Sequence, residues 1–445
     1  MLTVPHISSR ATANLKPYSK VGEVRSHCFT QQYDPDTNPD GIIALAIAEN
    51  KLMRDEITAY VNNHLHITPW HLTYGHGPQG SIPLRQAVSD FVNEHFKPYT
   101  PVSSSHICIC NGAGSAVDDL CFVLGDPGDG LLVGRPLYTG FFPDIEARAK
   151  VKPVLVSFGD IDPLSPAAVA CYERHLSSPS PNTPIRAILL ANPHNPLGRP
   201  YPREFLEAML GLCAKYNVHL ISDEVYVKSF FPSTDFPDGE EFTSVLSLDI
   251  ASLCNPALVH AIYGMSKDFC ANGIRVGCLV TPFNPTVYKA FKSVSSFTRA
   301  SQLAEQIWLQ LLTDSVFQKS YFPHLARRMT NAYEYVTGLL RQRGIAYSPA
   351  STTCFLWVDL RPYLREYSQD AEVELNWKMA KAGVWIGSGS SFGAEQHGWY
   401  RITFATPRHE LVMGMQRLFN ALDEAEAEAD AKRPTANNVN LKITP

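Results

Sequence analysis

Lys267 and Arg275 stand eight positions apart in Tyr263-Gly-Met-Ser-Lys-Asp-Phe-Cys-Ala-Asn-Gly-Ile-Arg-Val-Gly277, between the apolar runs 257–262 and 276–280. A lone lysine in such a turn is ordinarily a solvated loop residue. Two cations held together at the end of a pair of buried strands call for an anion. A phosphate-bearing carbonyl compound satisfies both, since an amine forms an imine with the carbonyl while a guanidinium grips phosphate oxygens through paired hydrogen bonds. A second anion site is written in Asn111-Gly-Ala-Gly-Ser-Ala116, where a strand at 107–110 turns into a helix at 117–124. Free N–H groups and the helix dipole point at whatever sits there, and small residues let it approach. Alone that turn is a weak signal, because many strand–helix turns bind nothing. With Arg275 it gives a phosphate two clamps.

Other strand-like runs also end in polar groups. The run 184–191 stops at Asn192-Pro-His-Asn195-Pro-Leu-Gly198, a turn that projects an amide; the run from His219 ends at Asp223-Glu224-Val-Tyr226. An acid at a strand end serves equally well as a helix cap. Arg401, in Trp399-Tyr-Arg-Ile-Thr-Phe-Ala405, has apolar neighbours on both sides and needs a partner, for which a buried ion pair is the plain reading.

Together these motifs resemble the fold-type-I pyridoxal-phosphate (PLP) enzymes of the class I/II aminotransferase family, over roughly residues 41–422. The resemblance implies that Lys267, preceded by Ser266, carries the cofactor as an imine and then acts as the base at the substrate α-carbon. It sets Asp223 beside the pyridine nitrogen, where opposite charge keeps that nitrogen protonated and the ring electron-withdrawing. Asn195 and Tyr226 then hydrogen-bond the ring oxygen, Tyr138 stacks on the ring, and Gly114, Ser115 and Arg275 hold the phosphate. Arg401 takes the substrate carboxylate bidentately, which orients the amino group. Tyr74, in Tyr74-Gly-His-Gly-Pro-Gln-Gly-Ser-Ile-Pro-Leu-Arg85, matches a tyrosine that crosses a dimer interface to the neighbour's phosphate, although its offset from Gly80 is slightly displaced. A homodimer with the active site at the subunit boundary is implied. One position departs from the family, which commonly places serine three residues before the lysine, where Gly264 stands here.

Ala48-Glu-Asn-Lys-Leu52 resembles the AEN-x-L signature of the 1-aminocyclopropane-1-carboxylate (ACC) synthase branch. That would set Glu49 near the substrate, whereas the residues alone favour a helix cap. True ACC synthases carry an aromatic two residues before the glycine of the loop ahead of the Leu-Arg helix, and Pro78 stands there. The pattern is closer to fungal ACC-synthase-like proteins. Schiff-base chemistry at the α-carbon of an amino acid is therefore expected. An aminotransferase in secondary-metabolite biosynthesis comes first, a carbon–sulfur lyase acting by β-elimination on a cysteine conjugate second, and ACC synthase third. His194 is expected only to line its loop, and Glu224 to face away from Asp223 on an extended segment.

The scaffold for these groups can be read from pattern. Strands alternating with helices through the middle of the chain predict an α/β fold: three α/β/α layers around a mostly parallel mixed sheet, with a smaller α+β domain. Ligand groups belong on loops at strand ends of such a sheet. The expected divisions are an arm and small-domain segment at 1–65, a PLP-binding domain at 66–300, a small domain at 301–424, and a disordered tail at 425–445. A short strand is expected at 42–47 and helices at 52–64, 84–94, 303–312, 317–343 and 371–381. The first 22 residues, with no acid before Glu23, are expected to form a flexible arm.

Composition narrows the class. A chain of 445 residues with 45% hydrophobic and 18% charged residues is an ordinary globular protein of two-domain size. A net charge of −5 gives no footprint for nucleic acid or an anionic membrane, and no basic helix-turn-helix precedes Gly41. That weighs against a regulatory PLP module fused to a DNA reader. The ten cysteines are scattered, several (Cys108, Cys110, Cys278, Cys354) in strand-like runs. They suit reduced core thiols in the cytoplasm and form no zinc set.

Overall fold

The computed structural model describes residues 6–15, 19–178 and 180–432, with side chains to residue 428. Strands are numbered in chain order. β1 is Ile43–Ala44, β2 Ile107–Cys110, β3 Gly130–Gly134, β4 Lys152–Val156, β5 Ile185–Ala191, β6 His219–Asp223, β7 Val259–Gly264 and β8 Gly277–Val280. β9 is Tyr347–Ser348, β10 Phe355–Asp359, β11 Val384–Trp385, β12 Gly387–Ser388 and β13 Trp399–Thr403.

Seven strands form one sheet in the order β2-β8-β7-β6-β5-β3-β4. β8 runs antiparallel to both of its neighbours and the other pairs are parallel. Side chains alternate across a strand, so each strand feeds two cores. Ile107, Ile109, Ile188, Leu190 and Leu220 pack on one face with Leu84, Phe91, Phe205 and Met209 from the helices Ile82–His95 and Arg203–Tyr216. Cys108, Cys110, Ala187, Leu189 and Ile221 pack on the other with Val117, Leu120 and Phe291. Coverage on both faces is why these strands read as unbroken apolar runs. All ten cysteines are buried and unpaired.

A second unit is built on the antiparallel sheet β12-β13-β10-β9, flanked by the helices Ser315–Gln342, Gln369–Lys381 and Arg408–Lys432. The expected strand at 42–47 is confined to β1, which pairs in parallel with β11. Leu45 N–H makes the last bond to β11, at the Trp385 carbonyl; beyond it the backbone turns to other partners, with the Leu45 carbonyl accepting from Thr403 N–H and Lys51 N–H donating to the Ala405 carbonyl. The expected flexible arm is helical in its described part, over Ser9–Asn14 and Lys20–Thr30. Ser19 caps the second of these, which buries Val24 and Cys28 against Val373 and Ala380. The last helix runs on through the start of the expected tail, from 425 to Lys432, and the rest of that tail, 433–445, lies outside the described residues. Among the described residues no helix is long and apolar enough to cross a membrane.

Candidate active site

The sheet brings several chain ends to one edge. Ala191 pairs with Asp223 and Asp223 with Ile262, so the turn after β5, the end of β6 and the turn after β7 lie side by side. Cys110 and Gly264 both pair with Gly277, which adds the turn after β2 and, because β8 is antiparallel, the residues before it. A cavity of about 370 Å³ opens at this edge. Its walls include Glu49, Gly114, Tyr138, Asn195, Asp223, Tyr226, Ser266, Lys267, Arg275 and Arg401.

Lys267 lies in a single helical turn, Met265–Asp268, directly after β7. Its amine donates to the Ala48 carbonyl at 2.7 Å. Burial lowers its pKa, and the Arg401 charge lowers it further against the pull of Cys354, Glu49 and Asp223. The turn is pinned by Asp268, whose carboxylate accepts from Ser229 Oγ at 2.8 Å and Tyr263 OH at 3.1 Å. Asp223 is buried, and its Oδ1 has no hydrogen-bond partner. Burial raises its pKa to about 7, partly offset by Lys267 and the Val225 N–H. Glu224 points away, its carboxylate accepting from Ser222, Ser244 and the Val245 N–H at 2.8, 2.6 and 2.9 Å.

Arg401 is only 4% exposed and faces no carboxylate among the described residues. It donates to Asn195 Oδ1 at 2.9 Å and the Ala46 carbonyl at 2.6 Å, and its Nε has no partner. Its guanidinium sits between the rings of Phe355 and Phe392, 4.7 and 4.5 Å from their centroids. The expected buried ion pair is thus absent: neutral acceptors and two π faces hold a cation whose charge is left uncompensated. The Tyr226 hydroxyl likewise has no protein partner among the described residues, and Tyr138 meets buried Phe141 edge-on.

Arg275 is exposed, at the end of two strands that are buried as expected. It adopts a left-handed conformation, φ 60°, and donates to the Asn272 carbonyl at 2.9 Å and that of Asn111 at 3.4 Å. A Cβ on Gly112 would come within 2.6 Å of its guanidinium, so glycine there lets the cation lie over the turn. Ser115 does not join the cavity; its hydroxyl donates to the Asn111 carbonyl one helical turn back, and Ala113 and Gly114 form the wall instead. Tyr74 also lies outside the cavity of its own chain, 80% exposed, with the Arg299 guanidinium 4.7 Å over its ring. Gly264 has a steric reason: a Cβ would meet Gly277 Cα and the Val276 carbonyl, both at 3.1 Å.

Glu49 is no helix cap, since the helix starts at Arg54 and Met53 holds the cap position. Its oxygens accept from Asn272 at 2.8 Å and Arg54 at 2.7 Å. Burial opposes its charge, but those bonds and the Arg54 charge outweigh it and lower its pKa. His194 is buried away from the cavity, its pKa pushed down to about 3 by desolvation. Sequence reasoning passed over Asn272, Phe392, Asp144 and the helix Lys20–Thr30, which also contribute to the cavity wall. Only Phe392, closing a glycine-serine loop, carried a local signal.

The family profile described as aminotransferase class I and II matches residues 43–418. The chain belongs to this family. It is 33% identical over 409 residues to a probable aminotransferase, sirI, of Leptosphaeria maculans, covering 91% of this chain and 97% of that one. It is 28% identical over 396 residues to 1-aminocyclopropane-1-carboxylate synthase 2 of Solanum lycopersicum, covering 84% and 78%. Aspartate aminotransferase from Thermus thermophilus with maleate has the same fold, with a TM-score of 0.73 at 21% identity, covering 94% of this chain and all of that one. As an aminotransferase-family enzyme the chain depends on pyridoxal 5′-phosphate. The residues present fit that group: a lysine amine with a lowered pKa, a buried carboxylate oxygen without a donor, and a glycine turn beneath an arginine.

Proposed function

We propose that this chain is an aminotransferase of ACC-synthase-like type that acts at the α-carbon of an amino acid through Lys267. The observation that carries it is one cavity holding Lys267, the orphaned Asp223 oxygen and the unpaired Arg401. PLP, when bound, supplies an aldehyde for the amino group and a ring that withdraws electrons from the α-carbon. Asp223 would hold a proton at the ring nitrogen, Asn195 and Tyr226 the ring oxygen, and Tyr138 the ring face. Ser266, Arg275, Gly114 and the backbone N–H groups of its turn would hold the phosphate. Arg401 receives the substrate carboxylate and so places the α-hydrogen. Lys267, with a lowered pKa, would take that proton and hold it on its amine. Glu49, tied to Asn272 and Arg54, stands as a fixed negative wall beside the substrate.

A homodimer belongs to the same proposal. Leu72, Tyr74 and Phe297 are strongly exposed apolar side chains, which a second copy would cover. A cytoplasmic role in secondary metabolism is the setting we propose. Purified enzyme loaded with PLP is to be incubated with candidate amino acids, with and without a 2-oxo acid. Turnover that requires the oxo acid supports transamination. Pyruvate and ammonia released without it would make the chain a carbon–sulfur lyase.

A further inference from the structure

The segment after β12 belongs to the second unit, yet four of its residues in a row are tied to the ends of β3 and β4 in the large sheet. Leu137 N–H donates to the Phe392 carbonyl at 2.8 Å. The Arg135 guanidinium donates to the next two carbonyls, through Nε to Gly393 at 2.5 Å and through Nη2 to Ala394 at 2.9 Å. Phe158 N–H donates to Glu395 Oε1 at 2.7 Å. Gly393 has a φ of 62°, and a Cβ there would come within 3.0 Å of the Leu137 side chain, so only glycine lets the segment lie this close. Arg135 is half-buried, and among the described residues it pairs with no carboxylate. Its planar fork of donors instead fixes two adjacent backbone carbonyls in position and direction. The same segment carries Phe392, which is 2% exposed. Its ring centroid lies 4.5 Å from the Arg401 guanidinium and 5.5 Å from that of Trp357, which it meets edge-on. A Cβ on Gly387 would come within 2.8 Å of the ring, so β12 leaves just enough room for it. Phe355, on the other face of Arg401, is held by the ladder between β10 and β13. Phe392 has no such ladder and depends on the ties to the large sheet.

We propose that Arg135 is a positioning residue for Arg401: by fixing the Gly393 and Ala394 carbonyls it holds the Phe392 ring over the guanidinium. A π face stabilises the buried cation without consuming its hydrogen-bond donors, whereas a carboxylate in that place would compete with the substrate for them. The ring also keeps water from one face of Arg401, which strengthens its attraction for an incoming carboxylate. Arg135 touches neither substrate nor cofactor; it acts through Phe392 alone. The assignment rests on the reading of Arg401 as the site of the α-carboxylate.

Spectral titration of the PLP-loaded protein with 2-aminoisobutyrate and with isopropylamine compares two amines that differ only in the carboxylate. The ratio of the two affinities isolates the carboxylate contact, whereas general damage to the fold weakens both alike. Arg135→Met is expected to shrink that ratio about tenfold, while affinity for PLP changes by less than about twofold. Phe392→Ala should shrink it by as much, and the double variant by no more than Phe392→Ala alone, because the two residues act as one. Arg135→Lys keeps the charge but loses the fork, so it should show a smaller loss; it also decides the matter if the methionine variant fails to load PLP. An unchanged ratio in Arg135→Met, or losses that add in full in the double variant, overturn the role. A wild-type protein with no preference for 2-aminoisobutyrate removes the reading of Arg401, and this role with it. A preference that survives Arg135→Met removes this role alone.

Discussion

Arg401 and Asp223 pose one physical problem with opposite signs, a buried ionisable group with less compensation than its charge requires. For Arg401, replacement by lysine keeps the charge but loses the planar fork between Phe355 and Phe392. We expect KM for the amino acid to rise about tenfold to a hundredfold in Arg401→Lys, with a smaller change in kcat, measured by steady-state kinetics. For Asp223 the folded-state pKa of about 7 lies above the ordinary carboxylate value. Between those values the unfolded chain has released its proton while the native protein keeps it, so stability of the cofactor-free protein falls as pH rises through that window. Asp223→Asn removes this contribution. It should make the cofactor-free protein more stable by roughly 1–3 kcal/mol at about pH 7.5, and by little at about pH 4, in urea unfolding. A gain that is equal at both pH values would show that the ionised carboxylate is not its source. The loaded variant should lose most of its turnover. Lys267→Ala should abolish both turnover and the visible absorption of bound cofactor; an unchanged spectrum would remove Lys267 from the mechanism.

At the scale of elements, the strands of the large sheet were legible because burial on both faces turns them into continuous apolar runs. The segment 42–47 was misread for a related reason. It is apolar enough for a strand, but its backbone groups are claimed by two other strands and by site cations. The Ala46 and Ala48 carbonyls accept from Arg401 and Lys267, which no local pattern announces. The helix begins at Ala113, which turns the Ser115 hydroxyl back onto Asn111, a contact that no local pattern announces either. The same crowding of elements explains Gly264, wedged against Gly277 and the Val276 carbonyl. Gly264→Ser should cost about 1–3 kcal/mol of stability in thermal or urea unfolding, since the backbone at Val276 and Gly277 must give. A serine variant as stable as the natural chain would show that the strands separate freely at that point.

For the whole molecule, one chain assembles the cavity but leaves Tyr74 outside it. If the proposed homodimer carries Tyr74 into the neighbouring site, impaired Tyr74→Ala mixed with inactive Lys267→Ala should regain activity, because one of the two sites in a mixed dimer is then intact. Activity no higher than that of the parent variants would confine each site to a single chain. The residue types set the available chemistry by themselves: an amine, a carboxylate at a strand end, two arginines and glycine turns, on strands whose apolar runs prescribe a covered sheet. Only tertiary structure decided which of these meet, because strand order and the antiparallel β8 bring residues more than a hundred positions apart to one edge. It also decided what faces Arg401 and what closes the cavity's outer end. Charge compensation and helix docking depend on distant neighbours, and no window of sequence contains them.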